Sequence, residues 1–382
     1  MRPSKITKIF VTHAHGDHTF GLPGLLCLMG QDRDRENSPP VEIYGPEGLR
    51  IWLRVAIRYS MSRIVPPYRV HEIMNVPMAP EWEFNSRTRR FFYRGRRNVN
   101  GDKSTGRWGR KGLAGDDPTN WISQANKMQL EPSSLYGEIE GGRDIYPDYD
   151  HPLSADGAPV WEVEDEDDVK VYAAPMSHGV PCVGYSVEEL ERPGRLRSEL
   201  VEPIVKRNVK ALREAGFKVP MKAMAVIKNL SPGSSFTFPD GTVVTQEDAV
   251  EPPRQGRKVV ICGDTADSRA MINLATNADV VIHEATNTYL AGIDKDTNAR
   301  SVQRDAVVHG HSTPAIAGEF ARQVNAKRLV LNHFSARYKG DTSIDSMSIM
   351  MRIEMQAIKA SGLNETQVAT AWDLMVLPVP HR

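Results

Sequence analysis

The chain contains little cysteine and no long apolar run, and its charges cancel. Its three cysteines, Cys27, Cys182 and Cys262, are odd in number and lack a CxxC spacing. This pattern argues against a disulfide framework and is typical of a reducing compartment. The apolar runs are far too short to cross a bilayer. Lys+Arg and Asp+Glu are equal at 48 each, so any polyanionic partner must be attracted by local patches and not by net charge.

Length and the amino-terminal residues set the next expectations. At 382 residues the chain exceeds an average domain, but it suits one α/β core with insertions. We expect a single domain over 1–382. The first residues enter a strand-like segment almost at once, which leaves no room for a signal or transit peptide. A cytoplasmic location is therefore the default expectation, with an organelle left open.

Two charged stretches interrupt the hydrophobic periodicity. Residues 87–111 carry ten basic side chains against one acid, and residues 138–168 carry twelve acids against one base. The basic block also contains aromatic residues and could grip RNA through phosphate contacts and stacking. Opposite charge blocks are, however, common in disordered segments. We predict a disordered charged insertion over 83–167.

The second stretch, residues 190–235, is irregular and basic. It carries ten basic residues against three acids between Arg192 and Lys228. Apolar periodicity predicts a helix near 199–215 within it, and a last strand of the chain near 372–377.

Residues 13–18 read His-Ala-His-Gly-Asp-His and follow a β-branched and aromatic run over 6–12. That run is typical of a buried strand, which would place four candidate metal ligands in the loop at its carboxyl end. His13 and His15 can reach one cation, while Asp17 and His18 can turn toward a second. Unpartnered surface histidines are the alternative, but three His and one Asp in six positions make it a poor one.

Three further candidate ligands also follow strand-like segments. His178 comes after 169–174, Asp264 after 259–262 and His333 after 329–332. An isolated Asp at such a place is more often a helix cap. Together, however, the three complete a ligand set for two zinc ions. One ion takes His13, His15 and His178, the other takes Asp17, His18 and His333, and Asp264 is shared. A cation pair lowers the pKa of a shared water, which becomes a nucleophile near neutral pH. Mn²⁺ or Fe²⁺ would accept the same ligands.

These residues and the motifs around them resemble ribonuclease Z, a tRNA-processing branch of the metallo-β-lactamase superfamily. The resemblance rests on Thr12–His18, Ser177-His178, Gly263-Asp264-Thr265, His283-Glu284-Ala285-Thr286, His311-Ser312-Thr313 and 333–338. The first motif marks the superfamily alone, and the later ones narrow it to the tRNA-processing branch. The match covers roughly 1–75, 168–190 and 255–378. It implies an α/β fold of the metallo-β-lactamase type, an αββα sandwich with two insertions.

The resemblance also implies roles for individual residues. Asp17 would accept a proton from the attacking water as well as bind metal. His311 would donate to the scissile phosphate or the leaving oxygen, and Glu284 would orient it. Arg337 would contact a neighbouring phosphate. The simpler alternatives are a helix-entry histidine for His311 and a surface salt bridge for Arg337.

The implied activity is cleavage of precursor tRNA after the discriminator nucleotide, by a homodimer. Residues 190–235 occupy the place of the family's tRNA-binding arm, although a Gly-Pro-rich tip is not evident. Compared with the family pattern, the chain is expected to lack the strands that normally precede the metal loop. Two alternatives stay open: a phosphodiesterase of the same superfamily that acts on small esters, and an inactive RNA-binding relative.

Overall fold

The computed structural model describes residues 2–34, 37–85, 87–88, 90–95, 108, 130–166 and 168–380. The chain divides into two compact units. The first is built from the residues up to Glu188 and from Lys258 to Val379, and the second from 189–257. The metal-ligand candidates all lie in the first unit.

Fifteen strands are present among the described residues. They are β1 Lys8–Phe10, β2 Val41–Pro46, β3 Tyr68–Ile73, β4 Trp82–Asn85, β5 Arg90–Tyr93, β6 Asp144–Ile145, β7 Trp161–Glu166, β8 Val169–Pro175, β9 Val183–Glu189, β10 Ser235–Thr237, β11 Val243–Thr245, β12 Lys258–Ile261, β13 Val280–Glu284, β14 Leu329–Asn332 and β15 Val368–Thr370.

Eleven α-helices accompany them in the described part of the chain. They are α1 Gly16–Thr19, α2 Leu22–Gln31, α3 Leu49–Tyr59, α4 Ser198–Arg207, α5 Val209–Glu214, α6 Ala223–Lys228, α7 Gln246–Ala249, α8 Ile272–Ala275, α9 Ala299–Val308, α10 Pro314–Gln323 and α11 Ile344–Ser361. Short 3₁₀ turns lie at Pro3–Lys5, Ser134–Tyr136, Pro220–Lys222 and Arg269–Met271.

Two sheets dominate the first unit. One has four strands in the order β1-β2-β3-β6, all parallel. The other has seven strands in the order β15-β14-β13-β12-β9-β8-β7. In it β12 to β15 run parallel, whereas β9 is antiparallel to β12. The parallel strands therefore end at one common edge.

Three hydrophobic clusters show the layering of this unit. One joins α2 and α3 to the four-stranded sheet, through residues such as Leu26, Ile43 and Leu53. A second joins the facing sides of the two sheets, through Tyr44, Ile73 and Trp161. A third lies on the outer side of the seven-stranded sheet, where α10 and α11 pack. The architecture is the αββα sandwich that the sequence predicts.

The unit over 189–257 has its own core. Side chains of α4, α5, α6, α7 and β11 form one cluster that includes Val201, Leu212, Ile227 and Phe238. Strands β10 and β11 pair as an antiparallel hairpin. The single domain over 1–382 and the arm over 190–235 stay predictions, and the compact unit that contains the arm extends over 189–257 because this longer segment buries its own apolar side chains. The helix predicted near 199–215 is divided into α4 and α5.

Two further expectations are wrong. A disordered insertion over 83–167 does not fit β4 to β7, and β6 and β7 extend the two main sheets. The apolar face of β7, with Trp161 and Val163 fully buried, explains the ordering of an acidic strand. Residues 96–107 and 109–129 of that prediction, with most of the basic block, lie outside the described residues. The strand predicted near 372–377 is also wrong, since β15 lies earlier and Trp372, Leu374 and Val376 are exposed.

Within the described ranges, no helix combines the length and the apolar composition that crossing a membrane requires.

We predict that Trp161→Ala lowers the free energy of unfolding by about 3–5 kcal/mol, since it removes a fully buried indole between the two sheets. The indole N–H also donates to the Met74 carbonyl at 3.0 Å. Urea denaturation followed by circular dichroism measures the change. Trp372→Ala, at a side chain 66% exposed, is the control and should cost under about 0.5 kcal/mol. Equal, small effects of both would show that the segment is not packed as described.

Candidate metal centre

The carboxyl ends of three neighbouring parallel strands bring the first polar groups together. Asp264 follows β12, Glu284 is the last residue of β13, and His333 follows β14 directly. Because parallel strands end at the same edge of a sheet, residues distant in sequence meet there. His178 reaches the same edge from the end of β8.

The metal loop, residues 13–18, joins this edge from the other sheet. It follows β1, and a single antiparallel bridge between His13 and Cys182 links it to the start of β9. His15 is the N-cap residue of α1, and the Thr19 hydroxyl donates to its carbonyl at 3.0 Å. These contacts hold a short, tightly turned loop against the seven-stranded sheet.

One group of potential ligands consists of His13, His15, His178 and Asp264, with ligand atoms that all lie within 4.8 Å of one another. His178 Nε2 lies 3.2 Å from His15 Nδ1, and His13 Nε2 lies 3.7 Å from Asp264 Oδ2. Two ligands of one tetrahedral zinc ion, each about 2.0–2.2 Å from it, lie roughly 3.3–3.6 Å apart. The spacing fits a shared cation.

A second group consists of Asp17, His18 and His333. Asp17 Oδ2 lies 3.4 Å from His18 Nε2 and 3.5 Å from His333 Nε2. Asp264 Oδ2 lies 3.5 Å from His18 Nε2 and 3.2 Å from His333 Nε2, so this carboxylate contacts both groups. The structure thus brings together all seven side chains that the sequence singled out as ligands.

Two buried imidazole nitrogens support a cation at this place. The Nε2 atoms of His13 and His18 are buried and have no hydrogen-bond partner among the residues that the structure describes. Burying a polar nitrogen without a partner costs about 1–3 kcal/mol. A metal ion would satisfy both atoms, and neutral imidazole and carboxylate are the donors that zinc accepts. The residues present therefore fit the metal that the resemblance implies.

The protonation states of the candidate ligands are those that metal binding requires. Burial lowers the pKa of His13 to about 3 and the pKa of His178 to about 4, so both rings are neutral and able to bind metal. Burial alone would raise the pKa of the Asp264 carboxyl, but the facing His18, His333 and His13 rings hold it well below its usual range. The facing Asp264 carboxylate, 3.5 Å away, raises the pKa of His18. A cation would compete with that proton.

Two backbone features orient the imidazoles. His178 Nδ1–H donates to the Gly310 carbonyl at 2.8 Å, which turns Nε2 toward the centre. Gly310 has φ +83°, and a Cβ there would lie 2.6 Å from His178 Nδ1, so only glycine fits. His333 has φ 54°, a left-handed conformation that is uncommon for a residue with a side chain. Such outliers concentrate at functional sites.

His311 lies at the edge of the centre and is held by Glu284. Its Nδ1 lies 3.2 Å from each Glu284 carboxylate oxygen and 3.9 Å from Asp264 Oδ2. Burial lowers the pKa of His311, but the Glu284 hydrogen bond and charge outweigh it and the pKa is raised. The motif also anchors the ring, because Ser312 Oγ donates to the Thr265 carbonyl at 2.6 Å and Thr313 caps α10. His311 also forms a third possible ligand group with Asp264 and His333.

Arg337 is engaged elsewhere. Its Nη1 lies 2.8 Å from Asp294 Oδ1, and its guanidinium also donates to the Thr288 carbonyl and to the Tyr338 hydroxyl. This is the salt bridge that the sequence left open as the simpler alternative. A phosphate at Arg337 would have to compete with Asp294.

Thr286 is a residue of the centre whose role was not predicted from the sequence. Its hydroxyl lies 2.8 Å from His333 Nδ1 and also donates to Glu284, so it connects the ligand edge to the His311 pair. The position of Thr286 in the quoted His-Glu-Ala-Thr motif was the available signal. Gly310 contacts His178 through its backbone carbonyl, so the sequence carries no side-chain signal for this contact.

Comparisons with known proteins identify relatives of the chain. The chain is 32% identical, over its whole length and 86% of the relative, to the zinc phosphodiesterase ELAC protein 1 of Bos taurus. It is 30% identical, over 88% of its length and 74% of the relative, to the ribonuclease Z of Streptococcus suis. Among solved structures, human tRNase Z, short form, aligns with all of the chain and 82% of its own at 24% identity and a TM-score of 0.47. No family profile matches the chain.

We predict that His178→Ala weakens zinc binding by more than about tenfold, because it removes a ligand whose second nitrogen is already oriented by a backbone carbonyl. Elemental analysis after dialysis against limiting zinc measures the metal per chain. His309→Ala, at a side chain 67% exposed, should bind as the wild type does. Wild-type zinc content in a folded His178→Ala protein would contradict the assignment.

Proposed function

We propose, from the premise that the chain belongs to the family of ribonuclease Z and the ELAC zinc phosphodiesterases, that it is a metal-dependent endoribonuclease acting on precursor tRNA. It removes the 3′ trailer by hydrolysing the phosphodiester after the discriminator nucleotide. The products are a tRNA with a 3′ hydroxyl and a trailer with a 5′ phosphate.

The observation that carries this proposal is the meeting of seven dispersed ligands at one sheet edge in a chain with full-length relatives of that family. A fold alone does not imply an activity, and a site does. The residues beyond the metal ligands add weight, because the His311 and Glu284 pair belongs to the motifs of the tRNA-processing branch and lies beside the ligands.

We place two divalent cations in this centre. His13, His15 and His178 would hold one, Asp17, His18 and His333 would hold the other, and Asp264 lies near both groups. Zinc is the metal named for the ELAC relatives, while Mn²⁺ or Fe²⁺ would accept the same donors. Bound cations supply Lewis acidity, which lowers the pKa of water and neutralises charge on phosphoryl oxygens.

Side chains of the protein then accept and donate the protons. The Asp17 side chain is 67% exposed and open to solvent, so it can accept the proton of the attacking water. His311 is presented by Glu284 and can donate a proton to the leaving 3′ oxygen. Because Glu284 is 1% exposed and bonded to the backbone N–H of Thr265 at 2.5 Å, it holds the ring rigidly. We retain Arg337 as a candidate phosphate contact.

We assign the binding of RNA to other parts of the chain. We propose that the unit over 189–257, with ten basic residues against three acids between Arg192 and Lys228, is the tRNA-binding arm. Its separate core allows it to present these charges as a folded surface. We also propose that the protein acts as a homodimer, as the resemblance implies.

We expect the wild-type protein to release the trailer from a labelled precursor tRNA, and Asp17→Ala to be slower by about 10²–10⁴-fold, since a proton acceptor and a ligand are lost together. Gel electrophoresis of the products measures both rates. Asp296→Ala, at an exposed acid, is the matched control and should cleave normally.

The outcomes separate the competing functions. Equal trailer release by wild type and Asp17→Ala would remove the mechanism. Cleavage of a small phosphodiester without any cleavage of tRNA would indicate the small-ester phosphodiesterase. Tight RNA binding without hydrolysis of either substrate would indicate the inactive relative.

For His311 we expect a fall in kcat of about 10²–10⁴-fold in His311→Ala, with the zinc content unchanged, because a proton donor is lost and the seven ligands remain. Single-turnover kinetics and elemental analysis measure the two quantities. Loss of zinc in parallel with kcat would instead make His311 a ligand, through its group with Asp264 and His333.

A further inference from the structure

A narrow, mostly apolar cavity lies directly beside the metal loop. It has a volume of about 140 Å³, and its wall includes His13 and Ala14 of that loop together with Phe20, Leu49 and Trp52. His13 is also one of the metal-ligand candidates. A group that fills this cavity would therefore lie next to the phosphodiester that is cleaved.

Two aromatic rings in the cavity wall lie nearly parallel to each other. The planes of Phe20 and Trp52 are 17° from parallel, and their centroids are 6.4 Å apart. Carbon atoms in optimal contact are about 3.5–4.0 Å apart, so a flat ring between two parallel rings needs a separation of about 7 Å. The centroid distance of 6.4 Å is the greatest separation that the two planes can have, so a base enters only when the exposed Phe20 ring moves away from Trp52.

The Phe20 ring is not placed there by the core. It is 73% exposed, whereas a phenylalanine that serves packing is normally buried. The ring lies over Gly16 of the metal loop, where an added Cβ would be 2.6 Å from Phe20 Cε2. The absence of a side chain at residue 16 therefore lets the ring lie over the loop.

Trp52 is the fixed wall of the cavity. It is half-buried on α3 and packs against the cluster formed by α2, α3 and the four-stranded sheet. One wall is thus held by the core, and the other is an exposed ring that can move. Paired aromatic rings of this kind are a common way to hold an unpaired base, and the stacking tolerates any base.

We propose that Phe20 and Trp52 form a slot for one unpaired nucleobase of the RNA next to the scissile phosphodiester. The inference rests on the proposed function and deepens it, since it names residues that position the strand independently of the metal ligands. A stacked base fixes the neighbouring phosphate, and small errors in that position lower the rate strongly.

The test is a double-mutant cycle, which combines the removal of the Phe20 side chain with the removal of a base from the RNA. Precursor tRNAs with a single abasic nucleotide at each position flanking the cleavage site are compared in wild type and in Phe20→Ala. We expect one position at which base removal lowers kcat/KM by about 5–100-fold in wild type and less than about twofold in Phe20→Ala. Phe20→Tyr retains a ring and should restore the dependence.

Binding supplies a second readout that does not depend on cleavage. In the Asp17→Ala background, fluorescence anisotropy with the same RNAs should show the same coupling in affinity. Tyr59→Ala, at an aromatic residue of the same helix α3 that is 91% exposed and outside the cavity, should leave the base dependence unchanged. The zinc content of Phe20→Ala should equal that of wild type.

Independent, multiplicative effects of base removal and Phe20→Ala at every position would overturn the slot, and so would loss of zinc in Phe20→Ala. If the wild type cleaves precursor tRNA and the effects are independent, only this inference fails. If the wild type does not cleave but the binding cycle shows coupling, the proposed function fails and the slot stands.

Discussion

The structure depends most on the buried carboxylate of Asp264. It is 3% exposed, and its Oδ2 lies 3.2–3.9 Å from imidazole nitrogens of His333, His18, His13 and His311. A buried charge is stable only if it is paired. The metal loop, the His311 motif and the end of β14 each supply an imidazole that faces this carboxylate.

Without a metal ion, the arrangement of this centre raises the free energy of the folded state. Neutral, buried rings such as His13 leave nitrogen atoms without partners, and His333 adopts a left-handed backbone conformation. Hydrogen bonds to the Nδ1 atoms of two of the histidines offset these costs. The Gly310 carbonyl bonds to His178, and the Thr286 hydroxyl bonds to His333. A cation that binds only the folded state would add stability and would couple metal binding to folding. The site is arranged in advance for the cation.

The candidate metal centre and the proposed RNA contacts differ in how the fold supports them. The ligands and the His311–Glu284 pair sit on strand ends and helix caps, where packing on both sides fixes their positions. The proposed RNA contacts lie on an exposed ring, Phe20, and on a basic unit over 189–257 with its own core. Contacts of the second kind tolerate change in sequence more easily, because little else packs against them.

The sequence alone predicted the fold class, and it singled out the seven candidate ligands that the structure brings close together. His13, His15, Asp17 and His18 are adjacent in the chain, and each remaining ligand follows a β-branched run, which is a local signal. Tertiary structure alone decided the rest. The acidic strand β7 orders because the facing sheet buries Trp161, Arg337 pairs with Asp294, and Phe20 lies opposite Trp52. These outcomes depend on contacts between residues far apart in the chain, about which local periodicity carries no information.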